Sequence, residues 1–134
     1  MSYLGVSPSL TAITVSDIAD DLITSAKLNY AEATLTDESS ITWDASTQDV
    51  AKVTLAGNRT LGSASSGTTG QFISLLIIQD GTGSRTLTWN AAYEFAADTA
   101  PTLTTTADLG DLFVFRYNGS KWLEVGRNQA LTLS

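Results

Sequence analysis

Beyond residue 30, apolar and polar positions alternate along most of the chain with a period of two. Ala31, Ala33 and Leu35 alternate with Glu32, Thr34 and Thr36, and Val53 and Leu55 alternate with Lys52 and Thr54. Phe113 and Phe115 fall on the face opposite Leu112 and Val114. Side chains of a strand point to its two faces in turn, so this pattern predicts half-buried β-strands. Strands are expected from Tyr30 to about Thr36, at Ser40–Trp43, at Val50–Leu55 and briefly at Thr60–Leu61. Further strands are expected at Gln71–Gln79, Arg85–Trp89, Leu112–Tyr117 and Lys121–Val125. Pro101–Thr104 reads as a short edge strand, because proline cannot donate to a sheet ladder. Gly126–Ser134 is either a loop or a final edge strand.

Phe72–Ile78 breaks the alternation, being apolar at every position except Ser74. A run of this kind predicts a strand covered on both faces, one by the second sheet and the other by a loop, the arm or another subunit. The turn signals are Gly57-Asn58, the polar loop Ser63–Gly70, Asp80–Ser84, Asp108–Asp111 and Asn118-Gly119. Two hairpins follow from them, one across Asp80–Ser84 and one across Asn118-Gly119. About eight strands with closely spaced turns predict an all-β domain over residues 30–134. A small β-sandwich is the natural architecture, with a jelly roll or a small barrel as variants that the pattern does not separate.

Residues 1–29 read differently, as an extended N-terminal arm. Ser16 is placed to cap a helix starting at Asp17, and Ile18, Leu22 and Ala26 share one face of it. The segment is too short to fold alone. Leu10, Ile13, Val15, Ile18, Leu22 and Ile23 are nonetheless too many apolar side chains for a solvated tail. They are the candidate contacts of the arm with a partner or a sister subunit. Phe72, Leu76 and Ile78 are the candidate subunit-interface residues of the domain.

Composition narrows the chemistry. The 134 residues contain no cysteine and no histidine. Disulfides, thiolate metal sites and the commonest general base are therefore excluded. The net charge is -7, and the few basic residues are scattered, which argues against nucleic acid as a partner. No apolar run approaches the roughly 18 residues needed to cross a bilayer, and no secretory leader is visible, so a soluble chain made in a cytoplasm is expected. No metal and no cofactor are expected. Asp80-Gly81-Thr82-Gly83 lacks the spaced acids of a calcium loop and reads as a turn. Asp44, Glu94, Asp111 and Glu124 lie near aromatics, but their spacing defines no acid–base pair, and they read as solvated surface. Trp43, Trp89, Tyr93, Phe95, Phe113, Phe115, Tyr117 and Trp122 read as core, with a sugar-binding platform as the other use of such residues. No catalytic constellation emerges, and the chain is expected not to be an enzyme.

Two stretches carry a resemblance. Ile13–Leu28, ITVSDIADDLITSAKL, resembles a linker found near the start of phage tail-fibre and head-fibre proteins. Gly70–Trp89, with its QDGTGSRTLTW segment, followed by Phe113–Trp122 with YNGSKW, is similar to a β module of phage fibre and decoration proteins. The resemblance implies a virion structural protein and a homotrimer. The chain shows one domain and no repeat array, heptads or collagen-like stretch from which to build a long shaft. That suits a capsid decoration (cement) protein on the capsid surface. Its arm would strap onto the major capsid protein and stabilise the assembled shell by mass action. The alternative is a tail-fibre or head-fibre module that contacts host surface glycans.

Overall fold

The computed structural model describes residues 31–134, and the arm residues Leu10, Ile13, Val15, Ile18, Leu22 and Ile23 lie outside them. The described chain is an all-β domain of two packed sheets. Its strands in order are β1 (Ala33–Thr34), β2 (Ser40–Ile41), β3 (Val50–Leu55), β4 (Arg59–Leu61) and β5 (Phe72–Gln79). They are followed by β6 (Leu87–Trp89), β7 (Tyr93–Glu94), β8 (Leu109–Tyr117) and β9 (Trp122–Thr132). The larger sheet has the order β1-β3-β5-β8-β9-β7 and the smaller β2-β4-β6.

The sandwich is wound rather than folded from antiparallel keys. Odd strands β1, β3 and β5 run parallel in one sheet, and even strands β2, β4 and β6 run parallel in the other. The chain therefore makes three stacked coils, each crossing from the large sheet to the small one. Parallel neighbours need a long return path, and here the opposite sheet is that path. Coil lengths differ, since Ala33 pairs with Ala51 but Ala51 pairs with Leu75. This is why the winding leaves no repeat in the sequence. After the third coil the chain closes with the antiparallel β8–β9 hairpin, which pairs β8 against β5.

The core fills the space between the sheets in aligned rows. Ile41, Leu61 and Trp89 stack across the small sheet, and Ala51, Leu75 and Phe113 stack across the large one. Fully burying one such Leu or Ile stabilises the fold by roughly 1.5–3 kcal/mol. Trp89 lies at the centre of the aromatic cluster. Its ring centroid is 5.0 Å from that of Phe113, 5.1 Å from Phe95 and 5.6 Å from Tyr93. The Trp89 contacts with Tyr93, Phe95 and Phe113 are edge-on, the arrangement favoured by the ring quadrupole.

Several expectations change. Arg85–Trp89 does not form a hairpin with β5, because β3 and β8 occupy both edges of that strand. The segment instead enters the small sheet as β6 beside β4. Pro101–Thr104 is not a strand. It is held as a loop, with Leu103 buried and the Thr104 amide donating to Asp111 at 2.7 Å. Strand β8 begins at Leu109, directly after the left-handed Asp108 (φ 61°), so the expected turn is shorter. The tail from Gly126 continues β9 as far as Thr132.

Candidate interaction surfaces

Three features of the described residues could carry function: the corner turns, a polar cleft at the first coil, and the outer face of the large sheet.

The corners joining the large sheet to the small one are clamped by alternating charges. Arg59 donates to both carboxylate oxygens of Asp37, at 2.8 and 2.7 Å, tying the first coil to the second. Asp80 receives the Thr82 and Gly83 amides and the Arg85 guanidinium, whose shortest contact is 2.8 Å. The Arg85 guanidinium holds the Asp80 carboxyl well below the ordinary carboxylate value, at about 2. Both oxygens of Asp80 are thus engaged by this turn's own groups, in keeping with its reading as a turn.

The other expected carboxylates have separate commitments. Asp44 caps Ser46 through both its amide and its hydroxyl, and that hydroxyl contact lowers the Asp44 pKa. Glu94 pairs with Lys121, and Glu124 with Arg127. Asp111 is not solvated surface. It is buried and receives the amides of Thr104 and Ala130 and the side chain of Gln129. This satisfies a carboxylate the sequence pattern placed in water, and ties the 102–104 loop to the left-handed Ala130 of β9.

The eight aromatics form no open platform. Trp43, Tyr93, Phe95, Phe113, Phe115 and Trp122 are buried, and Trp89 and Tyr117 pack against them partly exposed. The Trp43 indole donates inward to the Gln48 carbonyl at 2.8 Å. Beside it, Thr34, Thr36, Thr42, Asp44, Gln48 and Ser65 line a cleft of about 270 Å³. The outer face of the small sheet is also hydroxyl-rich. Ser40, Thr60 and Thr88 are exposed and lie in register across it.

The large sheet shows the opposite chemistry. Strand β5 alternates in burial despite its apolar run: Ile73, Leu75, Ile77 and Gln79 face the core, and Phe72, Ser74, Leu76 and Ile78 face outward. Among the described residues the second sheet covers one face of β5, and the other face is the one expected to meet a loop, the arm or another subunit. Phe72, Leu76 and Ile78, the candidate interface residues, share that outer face. The sequence pattern missed their neighbours Leu112, Val114, Val125 and Leu133, because the partners of β5 are remote in the chain. The outward phase of Leu112 and Val114 was visible, but not their position beside Leu76 and Ser74.

A family model described as "Putative phage tail fibre C-terminal domain" matches residues 32–122. The match runs from just before β1 through all three coils to the first residue of β9. No curated protein sequence matches the chain. The match thus includes the whole winding together with β7 and β8, and it spans most of the polypeptide. The chain belongs to the phage tail fibre C-terminal domain family and is a phage virion structural protein.

Proposed function

We propose that the chain is the C-terminal module of a tail fibre and that it contacts the host surface by binding, without catalysis. The observation that carries this reading is the family match over residues 32–122. It favours the tail-fibre alternative over capsid decoration, which had rested on the shortness of the chain. The absence of histidine and cysteine supports a binding role.

A surface glycan is the partner class we favour. The aromatics once considered for sugar stacking are core, so the contact falls to the hydroxyl-lined surfaces, namely the Ser40–Thr60–Thr88 row and the cleft beside Asp44 and Gln48. Such surfaces offer many neutral donors and acceptors at fixed spacing on a rigid sheet. The test is to add purified protein to host cells before phage. Saturable cell binding and slower phage adsorption are expected. Cells that bind no protein and adsorb phage at the normal rate would overturn the reading, and so would immunogold labelling confined to the capsid. Periodate treatment of the cells should abolish binding; binding that survives it would overturn the glycan assignment.

A further inference from the structure

The three large apolar side chains most exposed among the described residues border one surface. Phe72, Val125 and Leu133 are 55%, 59% and 42% exposed. Phe72 shares a depression with Val50, Ser74 and Val114, and Val125 shares one with Val114 and Leu112. Leu133 and Leu76 both lie close over Gly110, since a methyl group there would meet the Leu133 Cδ1 at 2.9 Å and the Leu76 Cδ1 at 3.1 Å. These contacts join into one apolar stripe along β5 and β8 on the outside of the large sheet. A stripe of this kind on a strand interior, away from either sheet edge, marks an interaction surface.

We infer that this stripe is where copies of the chain pack together, around an axis parallel to β5 with Phe72 beside the axis. The placement of charge identifies the occupant. The chain carries a net charge of -7, so copies repel one another over most orientations. Along the stripe itself the β5 positions are uncharged. Toward its middle, on the β1 side, the carboxylate of Glu32 is paired with Lys52 at 2.9 Å. At the Phe72 end the flanks differ in sign. Arg116 pairs across from Phe72 on β8, and Asp49 lines the depression on the β3 side. Rotation about an axis parallel to the strands sets the Arg116 flank of one copy against the Asp49 flank of the next. The arrangement is self-complementary for any closed ring of copies, and the homotrimer implied by the resemblance to phage fibre modules satisfies it. An anionic membrane or nucleic acid would meet the repulsion of the whole chain, and a glycan would find few polar partners along the stripe.

The test measures the mass of the full chain by sedimentation equilibrium over a wide concentration range. A discrete small multiple of 14.1 kDa is expected. Phe72→Glu should weaken association at least tenfold while leaving the far-ultraviolet circular dichroism unchanged. Val125→Glu, at a site open to solvent, provides the same test if the first variant folds poorly. Arg116→Glu should also weaken association, and adding Asp49→Arg to it should restore at least part of the loss. A monomer at all concentrations would overturn the inference, as would an oligomer indifferent to both Phe72→Glu and Val125→Glu. Failure of the double variant to recover would overturn the paired flanks. None of these results bears on host-cell binding by the tail-fibre module, so the two readings fail separately.

Discussion

The side-chain amide of Gln79 brackets the backbone of Arg85. Its Nε2 donates to the Arg85 carbonyl at 2.9 Å, and its Oε1 accepts the Arg85 amide at 2.8 Å. Gln79 ends β5 and points into the core, where it copies the bonds a neighbouring strand would have made. The chain can therefore leave the large sheet at Asp80 and enter the small one at Leu87 without stranding backbone groups. Gln79→Leu keeps the bulk and removes both bonds. Leaving two such groups unsatisfied costs about 2–6 kcal/mol. Urea unfolding should show a lower midpoint with an unchanged slope; an unchanged midpoint would mean that water replaces the amide.

Acid should loosen the corners. Asp80 and Asp37 both have pKa values lowered by their arginine partners, Asp80 to about 2. A carboxylate whose folded pKa lies below its unfolded value of 3.8 stabilises the fold when ionised. That contribution is complete above pH 3.8 and disappears as pH falls toward 2. Asp80→Asn should lower stability at neutral pH and flatten the acid limb of the stability profile. A variant profile parallel to the wild type down to pH 2 would contradict this.

Ala64 is held at both ends of its peptide unit. The Tyr93 hydroxyl accepts its amide at 3.1 Å and donates to the Gly62 carbonyl at 3.0 Å, while the Trp122 indole donates to the Ala64 carbonyl at 3.0 Å. These bonds fasten the 62–65 loop to β7 and β9. Tyr93→Phe leaves a buried amide without its partner, and a loss of about 1–3 kcal/mol is expected in thermal or urea unfolding. Burial also pushes the Tyr93 pKa upward. The unfolded chain ionises this tyrosine near its ordinary value of 10.0, so stability should hold below that pH and fall above it. The alkaline fall should be smaller in Tyr93→Phe.

Two glycines of one turn should respond differently. Gly83 has φ +74°, and a methyl group there would lie 2.6 Å from the Thr105 carbonyl and 2.8 Å from the Ala107 amide. Gly81 has nothing within 4 Å of the same position. Gly83→Ala combines left-handed strain of about 1 kcal/mol with a clash against backbone, so it should lose clearly more than that. Gly81→Ala should be near neutral. Equal melting temperatures for the two variants would show that the 105–107 loop yields freely.

Local patterning made much of the fold legible. Val50–Leu55 was readable residue for residue, because alternation is a property of neighbouring positions and needs no knowledge of the partner strand. The hairpin at Asn118-Gly119 was readable for a similar reason, since a short turn between Tyr117 and Trp122 pairs the strands on either side of it. The Arg85–Trp89 hairpin was misread because the turn chemistry of Asp80–Ser84 is genuine but does not specify which sheet the chain enters. The surface use of Asp111 was misread because its partners, Thr104 and Ala130, come from two separate segments.

By itself, then, the sequence determined that the domain is all β, where most of its strands lie, that its aromatics other than Phe72 belong with the core, and that histidine and cysteine chemistry is absent. Only the tertiary structure decided that odd and even strands wind into separate parallel sheets. It also decided that, among the described residues, the apolar run of β5 buries one face against the second sheet, and that Phe72, Val125 and Leu133 border the other. The physical reason is range: side-chain alternation and turn chemistry act over a few residues, whereas strand partners and surface patches are set by packing between segments far apart in the chain.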